Sequence, residues 1–203
     1  MKNFKFFFIA AILAFSSVIS LSAKAITTME VKAVGQGKMI YVSVQTKGSG
    51  TVNITISDKQ NHVLFTEVLD DQATTFEKLF NLNSLESGNY TLNIEDEFKT
   101  IIQPFRVAKS SIEINTDIRT EDFKPLILFN SEKENIDINW LLNAQKDFKV
   151  VISDERNNTV YKEIVENTWN VHKRYDISNF PAGYYKLMVT DGDSTYYEMI
   201  NIK

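Results

Sequence analysis

Two stretches of this chain repeat one another at a nearly constant distance. Ile56-Ser57-Asp58-Lys59-Gln60-Asn61 returns 96 residues later as Ile152-Ser153-Asp154-Glu155-Arg156-Asn157. Leu85-Glu86-Ser87-Gly88-Asn89-Tyr90-Thr91-Leu92 returns 95 residues later as Phe180-Pro181-Ala182-Gly183-Tyr184-Tyr185-Lys186-Leu187. A period this long exceeds a solenoid unit and suits two folded domains in tandem. One residue of slippage between the offsets predicts duplication of a whole domain.

Within each half the apolar residues alternate. Val52, Ile54 and Ile56 correspond to Phe148, Val150 and Ile152, and Tyr90, Leu92 and Ile94 to Tyr185, Leu187 and Val189. Ile40, Val42 and Val44 likewise match Ile136, Ile138 and Trp140. A period of two is that of a half-buried strand. Turn clusters such as Asp58-Lys59-Gln60-Asn61, Ser87-Gly88-Asn89 and Asp191-Gly192-Asp193 punctuate the runs. The pattern predicts an all-β protein of two tandem immunoglobulin-like antiparallel sandwiches, residues 26–108 and 110–203. The polar step Ala108-Lys109-Ser110-Ser111 is the expected joint.

Residues 1–25 read as a signal peptide. Lys2 and Lys5 precede an apolar run from Phe6 to Leu21, and Ala23-Lys24-Ala25 places small residues where signal peptidase reads them. Cleavage is expected between Ala25 and Ile26, leaving no membrane span in the mature chain and placing it in the periplasm, at the cell surface or outside the cell. The chain has no cysteine, which excludes an acyl-cysteine anchor, disulfides and thiolate metal sites. Losing residues 1–25 removes three lysines and no acid, so net charge falls from −4 to −7 over 178 residues. Such a chain repels phosphate backbones, and nucleic-acid binding is not expected.

Leu85–Gly88–Tyr90 and Phe180–Gly183–Tyr185 share one spacing. In sandwiches a tyrosine so placed turns its hydroxyl back onto upstream backbone, the tyrosine corner. Gly88 and Gly183 are expected to supply the backbone freedom of the turn.

The segment from Val150 to Lys203 resembles the C-terminal sorting domain of the Bacteroidetes type IX secretion system. The resemblance rests on Ile152-Ser153-Asp154, on Asp176-Ile177-Ser178-Asn179-Phe180-Pro181-Ala182-Gly183-Tyr184-Tyr185, and on the closing Met199 to Lys203. Residues 52–107 carry a worn copy, with Asn81-Leu82-Asn83-Ser84-Leu85-Glu86-Ser87-Gly88 in place of the motif. It implies a sandwich fold, an exported protein, and secretion machinery as a partner of the second repeat. The chain is also similar to small secreted proteins of the same bacteria built only of such modules.

Catalytic chemistry has little to stand on. His62 and His172 fall at non-equivalent positions, His62 against Asn158 and His172 against Phe76, and no third ligand is spaced to either. No serine lies in a Gly-x-Ser-x-Gly elbow. Carboxylates cluster at Glu95-Asp96-Glu97, at Asp70-Asp71, and at Asp191 and Asp193, where calcium is the weak alternative to an ordinary β-turn. Trp140 alternates with core residues. Trp169 lies in polar Glu166-Asn167-Thr168-Trp169-Asn170, either capping the core edge beside Val171 or free to stack on a sugar or partner. Tyr184, Tyr196 and Tyr197 add aromatic surface, and the last strand, Tyr196 to Ile202, offers an edge that a translocon or partner could pair with. The expected function is a non-enzymatic interaction module for a protein or glycan, with no cofactor. The alternative makes the second repeat a sorting signal carrying the first as cargo.

Overall fold

The computed structural model describes residues 25–203 except Ser49 and Asp71, so residues 1–24 of the expected signal peptide lie outside the described residues. Seven strands build the first half: β1 (Ala25–Ala33), β2 (Met39–Lys47), β3 (Val52–Asp58), β4 (Val63–Leu69), β5 (Thr75–Asn81), β6 (Gly88–Glu95) and β7 (Lys99–Val107). Two short strands, β8 (Ile112–Ile114) and β9 (Thr120–Phe123), follow around a single 3-10 turn, Thr116–Ile118. The second half comprises β10 (Leu126–Asn130), β11 (Asn135–Ser153), β12 (Thr159–Asp176), β13 (Gly183–Thr190) and β14 (Thr195–Ile202).

In the first half β1-β2-β5 form one antiparallel sheet, and β4-β3-β6-β7 the other. The alternation sends Ile40, Val42 and Val44 from one sheet and Ile54, Ile56, Leu92 and Ile94 from the other into one core, all essentially inaccessible to water. Each such side chain contributes roughly 1.5–3 kcal/mol when fully buried, so the apolar face of every strand fixes its register. The second half has the same order with fewer breaks. Residues 135–139 of β11 pair with β10 and residues 135–141 with residues 170–176 of β12, while residues 149–153 pair with β13 and residues 148–153 with residues 159–165. One continuous strand therefore serves both sheets, bending at irregularities between Leu141, Lys146 and Phe148. The first half breaks at this place because Gly48 and Gly50 stand at φ 99° and 119°, where the second half has Ala144 and Lys146. Both halves are immunoglobulin-like sandwiches, each burying its own core.

Register repeats residue for residue. Asn53 faces Glu95 and Lys149 faces Thr190, shifts of 96 on one strand and 95 on the other. Both halves carry the same bulge, after Ile56 and after Ile152. Met39 faces Asn81 as Asn135 faces Asp176, so the slipped residue lies between β4 and β5. His172 consequently matches Glu77, and the expected match with Phe76 is corrected by one position.

The joint expected at Ala108-Lys109-Ser110-Ser111 lies inside the first half. Ala108 N–H donates to Ser111 O (2.9 Å), turning β7 back into β8. β8 pairs with Phe105–Val107 and β9 with Lys99–Ile102, so the first hydrogen-bonded ladder runs on to Phe123. Between them Gln103, wholly buried, donates to the carbonyls of Pro104 and Asn115 (2.9 Å each) and accepts from Arg119 Nε (3.0 Å). A polar side chain can be buried there because every polar atom is bonded. The halves meet at β9. Trp140 of the second core donates its indole N–H to Phe123 O (2.6 Å), and Asn143 bonds Asp122. Lys124 reaches back to Asp96 O (2.7 Å) and Glu95 (2.5 Å).

Candidate functional site

Alternation on β13 and β14 turns Tyr185, Leu187, Val189, Ile200 and Ile202 into the second core. It leaves Tyr184, Lys186 and Met188 on the outer face, beside Asn201, Met199 and Tyr197 on the paired strand. Val151 and Lys149 of β11 continue this face, followed by Lys162 and Ile164 of β12. Tyr184, Tyr197, Met199 and Ile164 are 50–63% exposed. Lys186 holds its ammonium 5.8 Å from the Tyr197 ring centroid. The result is an apolar, aromatic patch rimmed by three lysines.

The first half has no such patch. At the matching positions β6 carries Asn89, Thr91 and Asn93, and β7 carries Ile102, Pro104 and Arg106. The edges differ as well. β8 and β9 cover β7, whereas among the described residues no strand pairs with the far side of β14. Glu198 stands at the place of Gln103, turned inward beside Leu187, yet exposed and with no described partner.

The two tyrosine corners coincide. Tyr90 OH donates to Glu86 O (2.9 Å) and Tyr185 OH to Pro181 O (2.8 Å), each four residues upstream. Their glycines differ. Gly183 sits at φ 155°, whereas Gly88 is outside the left-handed region, and the freedom expected of Gly88 is not used. A Cβ on Gly88 would rest 3.6 Å from the Tyr90 ring, ordinary contact.

Trp169 and Tyr184 are not brought together. Trp169 lies at the start of the part of β12 that pairs with residues 135–141, and Tyr184 lies on the other sheet opposite Asn201. Trp169 is 58% exposed, so it does not cap the core edge beside buried Val171. Tyr196 is half-buried against Trp140, with ring centroids 5.4 Å apart. His62 sits in its turn with Nδ1 3.1 Å from Asp58 Oδ2, and His172 bonds Asn139.

Asp191 and Asp193 enclose a side-chain cation. Lys146 Nζ lies 2.8 Å from Asp191 Oδ2 and 3.0 Å from Asp193 Oδ2, filling the space calcium would need. Asp191 Oδ1 meanwhile accepts the backbone N–H of Asp193 (3.1 Å) and Ser194 (2.7 Å). Burial opposes the charge on Lys146, but the two carboxylates outweigh it and hold the ammonium above its ordinary pKa. Burial likewise opposes charge on Asp191, yet Lys146 and the two backbone donors hold its carboxyl below the usual range. No group of three or more ligating side chains gathers among the described residues.

A second charged pair recurs between the halves. Glu67 bonds Lys78 in the first sandwich, and Glu163 bonds Lys173 (2.8 Å) at the matching place in the second. Tyr175 OH adds a bond to Glu163 (2.7 Å). Lys173 and Tyr175 hold the Glu163 carboxyl low, while burial and Glu163 push the Tyr175 phenol up. A separate cleft of about 960 Å³ lies in the first half beside β8, lined by Val31, Tyr90, Phe105, Ile112 and Ile114. Around it Lys32 pairs with Glu30 and Arg106 with Glu113.

No family model matches this chain, and no curated protein matches it. Solved structures similar to it include the BSP domain of a biofilm associated protein, at 12% identity and TM-score 0.29, covering 86% of this chain and 29% of that one. A tetra-tandem repeat from the extending region of a large adhesion protein matches at 10% identity and TM-score 0.27, covering 89% and 50%. A segment of two fibronectin type III domains from chicken tenascin matches at 8% identity and TM-score 0.29, covering 87% and 98%. The chain thus spans less than a third of the first of these structures and half of the second. Among the described residues no helix is long and apolar enough to cross a membrane.

Proposed function

We propose that this protein is an exported, non-enzymatic interaction module made of two duplicated sandwiches, and that it engages a protein partner through β14 and the outer face beside it. One observation carries this reading: the linker covers the last strand of the first sandwich, while the same strand of the second has a bare edge among the described residues. Exposed strand edges take strands from other chains, with backbone bonds giving affinity and alternate side chains giving choice. β8 supplies the template: Ile112 and Ile114 point into the core and Glu113 faces Arg106 outside. A segment with the same alternation fits β14, where Ile200 and Ile202 occupy the places of Phe105 and Val107. Tyr184, Tyr197 and Met199 then extend the contact over the sheet face.

The test is photo-crosslinking in the native cells. A photoreactive residue at Met199 should give discrete adducts, and one at Pro104, its counterpart in the first sandwich, should give none. Equal patterns at both positions would sink the reading.

The same bare edge favours a second reading, in which the second sandwich is a sorting signal read by secretion machinery. Because residues 112–123 belong to the first ladder, the segment to transplant is 124–203. Fused to an unrelated periplasmic protein, it should carry that protein to the surface. Retention in the periplasm would remove this alternative.

A further inference from the structure

We propose that removal of the leader completes an ion pair in the first sandwich: the new α-ammonium of Ile26 seats on the buried carboxylate of Asp96. This rests on the export reading. Hydrolysis of the Ala25–Ile26 amide by one water leaves a carboxylate on Ala25 and a protonated amine on Ile26.

Three observations converge on this pair. Asp96 is 3% exposed and Ile26 7%, so the contact is shielded from solvent. The Ile26 backbone nitrogen already lies 2.8 Å from Asp96 Oδ2, while Oδ1 accepts the N–H groups of Phe98 and Lys99 (2.7 Å each). Among the described residues no side-chain cation pairs with Asp96. The neighbouring lysines are committed elsewhere, Lys99 to Glu121 (2.7 Å) and Lys124 to Glu95 (2.5 Å).

The second sandwich shows what this carboxylate takes. Asp191 is the counterpart of Asp96, and its Oδ1 likewise accepts two turn N–H groups. Its Oδ2 holds the ammonium of Lys146 at 2.8 Å. At the place of Lys146 the first sandwich has Gly50, with no side chain to provide a cation. The position of Ile26 beside Asp96 Oδ2 lets the new chain end provide it instead. A buried carboxylate with only neutral donors thereby gains an opposite charge, and a charge pair shielded from water attracts more strongly than one in solvent. The uncleaved chain has an amide at Ile26 and lacks this charge, so the first sandwich tightens only on processing.

Two forms of the mature chain test it, one beginning at Ile26 and one at Ala25, which keeps the amide. At neutral pH the Ile26 form should melt higher in the first sandwich by about 5 °C or more. The ammonium on Asp96 has its pKa raised in the fold. Its contribution is therefore whole below the ordinary α-amino value, about 7.7–8.0, and is lost as pH rises through the folded value. The other titratable groups facing this corner are Lys47 at the end of β2, Glu95, Glu97 and Lys99 around the turn, and Glu121, Asp122 and Lys124 in the linker. They are common to both forms and cancel in the comparison, and acetylating the α-amine on Ala25 of the longer form removes the one titrating group that is not shared. In Asp96→Asn the two forms should melt together. If that variant fails to fold, the comparison in the unaltered chain still decides. Equal melting of the two forms at every pH overturns the ion pair and leaves export untouched. Native protein beginning at a residue other than Ile26 overturns the cleavage on which both depend, whereas Ile-Thr-Thr-Met supports it.

Discussion

Lys146→Met is the substitution whose outcome the second sandwich specifies most closely. The methionine keeps the length of the lysine stem and removes only the charge. Asp191, 6% exposed at its side chain, is then left with two backbone donors and no cation. Removing one member of a buried pair costs about 3–5 kcal/mol in favourable cases. Here the Lys146 side chain is 18% exposed, the Asp193 side chain is 78% exposed, and the two backbone bonds remain, so about 2–3 kcal/mol is the reasonable loss. For a sandwich of this size that lowers the melting transition by about 10–15 °C at neutral pH. The penalty must also depend on acid. Asp191 has a depressed pKa, so its contribution is present above the ordinary carboxyl value of about 3.9 and is lost as pH falls through the folded value. Differential scanning calorimetry of wild type and Lys146→Met should show a wide gap at pH 7 that closes below pH 3. A gap absent at pH 7, or unchanged in acid, would refute the account of this corner. Millimolar calcium should leave wild-type melting unmoved, because the lysine holds the site.

The remaining predictions are contrasts. Gly183→Val should destabilise the second sandwich by roughly 1–3 kcal/mol through its left-handed φ, whereas Gly88→Ala should change melting by less than about 0.5 kcal/mol. Tyr185→Phe should lose about 1 kcal/mol in chemical denaturation, the worth of one corner hydrogen bond. Trp169→Ala, on an exposed ring, should leave melting within about 0.5 kcal/mol of wild type; a large drop would place the ring in the core. Trp140→Phe removes the bond to Phe123 O, and the two sandwiches should then unfold in more widely separated calorimetric transitions.

Architecture was legible because the signals that carry it are short-range and doubled. The alternation of Val52, Ile54 and Ile56 and its return at Phe148, Val150 and Ile152 place the cores, and the spacing of Phe180, Gly183 and Tyr185 marks the corner. What escaped was long-range. Ala108-Lys109-Ser110-Ser111 has the composition of a linker, but it is a hairpin turn, because Ile112 and Ile114 find a free edge on β7 to complete. The Lys146–Asp191 contact joins residues 45 apart through a bulge that no local pattern announces. Asp191-Gly192-Asp193 therefore resembled a cation site although the cation is a side chain. The fusion of strands in the second half follows from missing glycines, a signal present at Gly48 and Gly50 and readable once the halves are aligned.

β7 and β14 occupy equivalent places but differ at their outer edges, and amide hydrogen exchange of the purified protein tests that difference residue by residue. If β14 is a docking edge, its alternate amides that do not bond β13 should exchange with the speed of solvent-exposed groups, while β7 stays protected between β6 on one side and β8 and β9 on the other. Uniform protection along β14, equal to that of β7, would contradict the account, because the edge would already be occupied.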